Sequence, residues 1–303
     1  MAQQETMTML EFMERFGTEE ACQLYLYEKR WPKGFVCPKC GTVAEPFHIT
    51  SRKLYQCKHC NHQTSVTAGT VMDKSRTPLQ KWFLAIYLMS KDKRGCSAMQ
   101  IKRELKIAYD TAWTMSHKIR KAMGDRDENY LLSGIVEMDD GFFGSPSEGA
   151  GKRGRGTDKT PVVIGLSLVD GRPSFVKAQV LPAIDGDSIA MFSEKNIEKG
   201  TSIASDGFRA YRKLKEKGYI HMPENFNLEE NPEHLKWLHI VISNLKNFFD
   251  GTYHGIGSRH MQSFLDEFCF RFNRRFWHPQ LFGRTVAACA ARSVFTRNML
   301  IMS

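Results

Sequence analysis

Four cysteines near the N-terminus have the spacing of a metal site. Cys37 and Cys40 stand in the stretch VCPKCG, and residues 41–56 separate them from Cys57 and Cys60 in YQCKHCNHQ. Two C-x2-C pairs at this separation are typical of four thiolates that bind one Zn²⁺ tetrahedrally, each pair in a tight turn. The spacing therefore predicts a structural zinc site.

The segment between the two cysteine pairs alternates enough to predict a β-hairpin, so the expected form is a zinc ribbon. Two disulfides or a CxxC redox centre are the alternatives, and the duplicated motif argues against both. Nearby histidines are expected to be solvated, and the other cysteines to be buried thiols. These residues are His48, His59 and His62, and Cys22, Cys96, Cys269 and Cys289.

A second group of residues with possible chemistry is acidic. Asp139 and Asp140 follow an apolar run in GIVEMDDGFFG, and Asp206 follows another in IASDGFRAY. We expect Asp139 and Asp206 to end neighbouring strands, where facing carboxylates repel unless a divalent cation lies between them. This pattern suits Mg²⁺ or Mn²⁺. The alternative is that these aspartates are turn or cap residues, since glycine follows Asp140 and Asp206.

The elements that must position these acids change in type along the chain. From residue 134 on, three β-rich runs follow one another, and Asp170-Gly171 predicts a hairpin between the second and the third. A helix at 186–199 and a short strand at 201–206 come next, followed by helices at 208–218, 233–249 and 258–276. A meander followed by alternating helices and strands predicts a mixed sheet with helices on its faces, as in ribonuclease H-like folds.

Helical periodicity also flanks the cysteine pairs. A helix is predicted at 18–31, with Thr18 as its N-cap, and three more are predicted at 78–93, 97–107 and 108–124. The last three indicate a helix-turn-helix, although a plain three-helix packing module has the same pattern. The exposed face of the third would offer DNA the side chains of Thr114, His117, Lys118, Arg120 and Lys121.

Charge points to a polyanionic partner. Lys and Arg total 43 against 33 Asp and Glu, a formal charge of +10, which favours nucleic acid through counterion release. The loop at 145–159 is rich in Gly, Ser and cations, and Lys152, Arg153 and Arg155 could contact DNA phosphates, although a solvated loop has the same composition. No run of about 18 apolar residues and no secretion signal is present, so we expect a cytoplasmic, nucleoid-associated protein without membrane contact.

Several blocks of sequence occur together in one order: VEMDDGFFG, IASDGFRAY, WLHIVISNLKNFFDGTYHG and FLDEFCFRFNRR, behind the cysteine pairs. With these blocks the chain, from about residue 20 on, closely resembles bacterial insertion-sequence transposases of the zinc-ribbon DDE superfamily, ISXO-type group. The resemblance implies that Asp139 and Asp206 bind catalytic metal in a ribonuclease H-like domain. Asp140 stands where the family usually has Glu.

The third metal-binding position departs from the plain DDE pattern. Such transposases commonly carry Glu seven positions before a basic residue, and seven positions before Lys246 is His239. Seven helical steps of 100° come to about two turns, so His239 and Lys246 share a face. Members of the family with Asn as the third residue imply Asn244 instead. Both positions stay open.

The resulting hypothesis is a multidomain α+β DNA transposase. We expect the zinc ribbon and N-terminal helices in residues 1–70, the helix-turn-helix in 71–128 and the catalytic domain in 129–303. It would bind terminal inverted repeats in double-stranded DNA as a homodimer or higher oligomer, and use Mg²⁺ or Mn²⁺ for 3′-end cleavage and strand transfer. The alternatives are a non-catalytic zinc-containing regulator and a nuclease that cuts without joining.

Overall fold

The computed structural model describes residues 7–144, 159–225, 227, 230–231, 233–253, 256–291 and 294–302. The loop cations Lys152, Arg153 and Arg155 lie outside these residues. The chain divides into two compact units, one of Met1–Met123 with Phe276–Ser303 and the other of Gly124–Arg275. Residues 276–303 are thus grouped with the N-terminal part, whereas the sequence-based division assigned them to the catalytic domain. The three-domain division remains a prediction about which segments fold independently.

Helices and strands alternate in blocks along the chain. The helices are α1 (Met9–Phe16), α2 (Glu19–Arg30), α3 (Leu79–Lys91), α4 (Ala98–Leu105), α5 (Tyr109–Asp127), α6 (Gly186–Asn196), α7 (Lys213–Glu216), α8 (Lys236–Thr252), α9 (Ser258–Phe272), α10 (Leu281–Ala291) and α11 (Arg297–Met302). The strands are β1 (Phe47–Ile49), β2 (Leu54–Gln56), β3 (Gln63–Thr64), β4 (Ile135–Phe143), β5 (Thr160–Val169), β6 (Arg172–Val180), β7 (Ser202–Ser205) and β8 (Ile220–Pro223).

The first unit contains a small antiparallel sheet in the order β1-β2-β3. Phe47 pairs with Gln56, and Tyr55 pairs with both His48 and Thr64. This sheet lies between and just after the cysteine pairs, so the predicted zinc ribbon is confirmed. Its neighbour α2 begins at the predicted cap, where the Thr18 hydroxyl accepts a hydrogen bond from Ala21 N at 3.2 Å.

The helices α3, α4 and α5 follow one another with short links. Ser97 caps α4 by accepting from Gln100 N at 3.1 Å. After Leu105, Lys106 takes a left-handed conformation with φ 48°, which ends α4 and leads through a tight turn into α5. This is the connectivity of a helix-turn-helix.

The second unit is built on a mixed sheet in the order β6-β5-β4-β7-β8. Strands β4, β5 and β6 are antiparallel neighbours, and β7 and β8 run parallel to β4. A three-stranded meander continued by parallel strands on its first strand is the ribonuclease H-like arrangement, with helices on both faces. The predicted fold class is confirmed.

Each face of this sheet has its own core. On one face, Val162 and Ile164 of β5 pack against α8 and α9 through Leu238, Val241 and Leu265. On the other, Val136, Met138, Val163, Ile203 and Phe192 pack together with Tyr211. The two faces are therefore distinguishable along β4, because successive side chains of a strand point to opposite sides.

One local prediction is wrong. Asp139 was expected to end its strand, yet β4 continues to Phe143, paired with β5 throughout. The pairing with β7, by contrast, stops at Met138 and Ser205. Asp139 therefore lies where β4 leaves its parallel neighbour rather than at a strand end. Among the described residues, none of the helices combines the length and apolar character needed to span a membrane.

Candidate active site

The four predicted zinc ligands converge. The Sγ atoms of Cys37 and Cys60 are 3.6 Å apart and those of Cys40 and Cys57 are 3.7 Å apart, and all four sulfurs lie within 4.8 Å of one another. A tetrahedral Zn²⁺ with Zn–S bonds of about 2.3 Å separates its sulfurs by about 3.8 Å. The cluster therefore fits zinc in donor type and in spacing.

Two equivalent turns present these sulfurs. Gly41 N donates to Cys37 O at 2.9 Å, and Asn61 N donates to Cys57 O at 3.0 Å. Gly41 and Asn61 both have positive φ, 73° and 57°, a conformation that Gly and Asn adopt most readily. The residue after each C-x2-C pair is thus one that closes a tight loop around the metal position.

Hydrogen bonding also favours the metal-binding form of one ligand. Thr42 Oγ1 lies 3.2 Å from Cys40 Sγ, and hydrogen bonds from the Thr42 side chain and backbone lower the pKa of the Cys40 thiol to about 5. The thiolate is the form that binds zinc. The remaining cysteines are buried thiols, as predicted: Cys22, Cys96, Cys269 and Cys289.

Strand register brings the two predicted catalytic aspartates together. Met138 and Ser205 are the last paired residues of the parallel strands β4 and β7, so Asp139 and Asp206 are the next residue on each. Met138 packs in the core on the α6 side, whereas Ala204 packs against the core beneath α8. By alternation, Asp139 lies on the α8 side of the sheet, and Asp206 is the first residue after β7.

Asp139 faces a histidine of α8. Its Oδ1 accepts from Asp140 N at 2.8 Å, and its Oδ2 lies 3.8 Å from His239 Nε2. Partial burial, followed by the positive charges of His234 and Lys246, lowers the pKa of His239. The neutral imidazole, which is the metal-binding form, is therefore favoured at physiological pH.

Asp206 begins the turn that leaves the sheet. Its Oδ1 accepts from Phe208 N at 3.1 Å, an Asx-type contact that leads into the 3-10 segment Arg209–Arg212. The alternative interpretation of Asp206 as a turn residue is thus correct locally. It does not compete with a metal-binding role, since a carboxylate has further acceptor positions.

Tyr211 reports the negative charge of the site. Its side chain is fully buried, and its hydroxyl donates to Asp140 Oδ1 at 3.2 Å. Burial raises the pKa of Tyr211 well above its usual value, and the charges of Asp140, Asp139 and Asp206 add to the rise. All three carboxylates therefore converge near one phenol, although Asp140 points to the opposite side of the sheet from Asp139.

The two candidates for the third ligand point in different directions. His239 and Lys246 both lie on the exposed side of α8, and the effect of Lys246 on the pKa of His239 agrees with a common face. Asn244 is also exposed, but five helical steps rotate it about 140° away from His239. The contact with Asp139 thus belongs to His239.

The carboxylates of Asp139 and Asp206 suit Mg²⁺ or Mn²⁺ in donor chemistry. Two carboxylates with open coordination positions for water are a usual binding set, and two ligands of one octahedral ion lie about 3 to 4 Å apart, as Asp139 Oδ2 and His239 Nε2 do at 3.8 Å. In the described part of the chain, only the cysteine cluster brings three or more ligand atoms all within 4.8 Å. The oxygens of Asp206 therefore do not lie within 4.8 Å of both Asp139 Oδ2 and His239 Nε2, unlike the four zinc ligands with one another.

Sequence reasoning missed two residues behind Asp206. Ser205 Oγ donates to Asp206 O at 2.9 Å and lies 2.8 Å from His221 Nε2, so His221 donates and its other nitrogen, Nδ1, carries the lone pair. Nδ1 is buried without a hydrogen-bond partner in the described residues, and burial lowers the pKa of His221. The position of Ser205 next to Asp206 was the one feature of the sequence that could have pointed to these two residues.

A buried glutamate was missed as well. Glu137 is 7% exposed and its Oε2 accepts from Leu238 N at 2.7 Å; burial raises its pKa. The signal that could have found it is a carboxylate two residues before Asp139 within an apolar strand, on the same side of the sheet.

The predicted DNA-facing side of α5 is wrong for its central residues. His117 is 2% exposed and Arg120 is 1% exposed, and Arg120 donates to Ser116 Oγ at 3.2 Å and to Cys96 O at 3.4 Å. Lys118 Nζ donates to Val71 O at 3.0 Å. These polar groups are used inside the unit, because buried donors need acceptors.

Lys121 and Thr114 are only partly exposed, and the Lys121 ammonium lies over the ring of Phe295, 5.7 Å from its centroid. Exposed cations lie instead on α4 and in the turn that follows it. They include Lys102, Arg103 and Lys106.

Family models match both parts of this chain. A transposase zinc-ribbon domain matches residues 17–63, and an ISXO2-like transposase domain matches residues 131–273. These segments hold the cysteine cluster and the strands and helices around Asp139 and Asp206. A protein from the transposable element ISH50 of Halobacterium salinarum is 29% identical over 217 residues, covering 66% of this chain and 71% of the relative.

Solved structures with some likeness include two Mos1 complexes. The Mos1 transposase paired-end complex with the left transposon end has 12% identity and a TM-score of 0.31, covering 70% of this chain and 79% of that one. The mariner Mos1 paired-end complex with Mn has 10% identity and a TM-score of 0.28, covering 68% and 78%. Such TM-scores establish no shared fold. Residues 131–273 therefore form an ISXO2-like transposase domain and residues 17–63 a transposase zinc ribbon, both of the IS1595 type.

Proposed function

We propose that this transposase cleaves the 3′ ends of its insertion sequence and joins them to target DNA, using Mg²⁺ or Mn²⁺. The observation that carries the proposal is that Asp139 and Asp206 directly follow Met138 and Ser205, the last paired residues of the adjacent parallel strands β4 and β7, with His239 Nε2 3.8 Å from Asp139 Oδ2. Two carboxylates beside a third ligand are what phosphoryl transfer with divalent ions requires.

Each group of the chain has a distinct task in this scheme. Asp139, Asp206 and His239 would hold the ions, which when bound activate water and neutralise charge on the phosphate. Water first breaks the phosphodiester at the element end and leaves a 3′-OH; this hydroxyl then attacks a target phosphodiester, forming one P–O bond and breaking another. Lys246 would hold a DNA phosphate on the same face of α8.

We propose a new DNA-facing surface for the helix-turn-helix. The side chains of Lys102, Arg103 and Lys106 are exposed, and cations of this kind bind phosphates without reading bases. The zinc ribbon and this surface would bind the terminal inverted repeats. Two ends must be joined, so we expect at least a homodimer on DNA, in the cytoplasm where the nucleoid DNA lies.

The direct test is strand transfer on DNA that carries the element ends, with Mg²⁺ or Mn²⁺. We compare the native chain with Asp139→Ala, Asp206→Ala, His239→Ala and Asn244→Ala, and use Asp250→Ala, an exposed carboxylate of α8, as the matched control. We expect joined products to disappear in both aspartate variants and in His239→Ala, and to persist in Asn244→Ala and Asp250→Ala.

Other results would replace the proposal in defined ways. Cleaved ends without joined products would indicate a nuclease. End binding without cleavage under either ion would indicate a DNA-binding regulator. Loss of activity in Asn244→Ala with retention in His239→Ala would move the third ligand to the position that the family resemblance implies.

A further inference from the structure

Glu137 is a buried carboxylate beside the candidate site that the proposed reaction does not use. It lies in β4, two residues before Asp139, and is paired with Leu166 on one side and Ala204 on the other. Its residue is 7% exposed. Strands on both sides hold its backbone, so its side chain starts from the same rigid frame as Asp139.

This carboxylate caps a helix from another element. The helix α8 begins after Leu235, which has φ 50° and supplies no side-chain cap. The first amides of a helix lack partners within the helix. One of them, Leu238 N, donates to Glu137 Oε2 at 2.7 Å, so a strand residue takes the role that an N-cap side chain has elsewhere in the chain.

The bond connects the two elements that carry the site. Leu238 immediately precedes His239, and Glu137 stands two residues from Asp139. The core packing of α8 against the sheet is apolar, and apolar packing is not directional. A hydrogen bond of fixed length and direction restricts both sliding and rotation of the first turn. It therefore constrains the 3.8 Å separation of Asp139 Oδ2 and His239 Nε2.

We propose that Glu137 is a positioning residue, which holds His239 at the metal site by capping α8. This inference rests on the proposed function, because it assigns His239 to the metal. It requires an acceptor at Glu137 and does not require its charge. Glutamine keeps that acceptor, whereas leucine removes it at similar volume.

The test measures Mn²⁺ affinity by electron paramagnetic resonance on the full zinc-loaded chain. Loss of groups that orient metal ligands typically weakens binding roughly 10- to 100-fold, and we expect a loss of this size in Glu137→Leu. Glu137→Gln should bind close to the native affinity, as should the control Glu216→Gln, an exposed carboxylate of α7. Equal loss in Glu137→Gln and Glu137→Leu would overturn the proposal, because the charge and not the cap would then matter.

A second measurement separates this inference from the proposed function. Hydrogen–deuterium exchange of the peptide that begins α8 should be faster in Glu137→Leu than in Glu137→Gln or the native chain, whether or not Mn²⁺ binds. Unchanged exchange in Glu137→Leu would refute the cap. Native protein that binds no Mn²⁺, with exchange altered as expected, would refute the metal site and leave Glu137 as a cap alone. Circular dichroism confirms that each variant is folded.

Discussion

The reassigned DNA surface makes the most quantitative prediction. Lys102, Arg103 and Lys106 are exposed, whereas Arg120, which the sequence pattern favoured, is 1% exposed and bonded within its unit. We expect the triple variant Lys102→Ala, Arg103→Ala, Lys106→Ala to lose affinity for DNA at low salt and to become less sensitive to salt.

The magnitude follows from counterion release. Each phosphate contact contributes about −0.9 to the slope of log affinity against log salt, so three contacts contribute about −2.7. Between 50 and 200 mM salt, three contacts account for a fall of about 40-fold in affinity. The triple variant should lack that part of the salt dependence.

The assay is fluorescence anisotropy with labelled duplex DNA over a salt series. A charge-matched control is the triple variant Lys195→Ala, Lys199→Ala, Lys217→Ala. These residues precede β7 and β8, whereas Asp206 follows β7, so they lie at the other end of these strands. The control should keep the native slope.

A native slope in the Lys102, Arg103 and Lys106 variant would refute the reassignment. An equal change in both triple variants would show that the effect comes from net charge rather than from a defined surface.

Three further outcomes are expected. Replacing Cys37 and Cys57 together by Ala should release zinc and abolish end binding; zinc retained on metal analysis would refute the four-cysteine site. Because the pKa of Tyr211 is raised in the folded chain, the unfolded chain loses this proton first as the pH rises. The free energy of unfolding, measured in urea, should therefore fall above about pH 10, and fall less steeply in Tyr211→Phe. The same pH dependence in both proteins would contradict this. Arg274→Met should lower the free energy of unfolding, measured in urea, by about 3–5 kcal/mol, since Arg274 pairs with buried Asp127 at 2.7 Å. A decrease below about 1 kcal/mol, as for exposed ion pairs, would contradict this prediction.

The zinc ribbon could be predicted from the sequence in detail. Its ligands lie in two short motifs, and each motif closes its own turn through Gly41 or Asn61. Local spacing decides such a site, because few conformations bring C-x2-C sulfurs onto one ion. The fold class was predictable for a similar reason, since the order and period of the elements restrict the sheet to few topologies.

The acidic site was predictable only in part. Residue types and resemblance pointed to Asp139 and Asp206. The end of the β4–β7 pairing at Met138 and Ser205 showed that each directly follows the last paired residue of its strand, and β4 continued beyond the predicted end. Strand register depends on contacts between distant segments, which the sequence pattern alone does not specify.

Local spacing and residue type were enough to predict the four-cysteine cluster, the class of the fold and the two candidate aspartates. The packing of α8 and α5 was needed to establish that His239 rather than Asn244 contacts Asp139, that Arg120 is buried and that Glu137 caps α8. The physical reason is that a helix repeats every 3.6 residues, so its sequence defines faces but not the partner that each face meets. Packing against the sheet makes that choice.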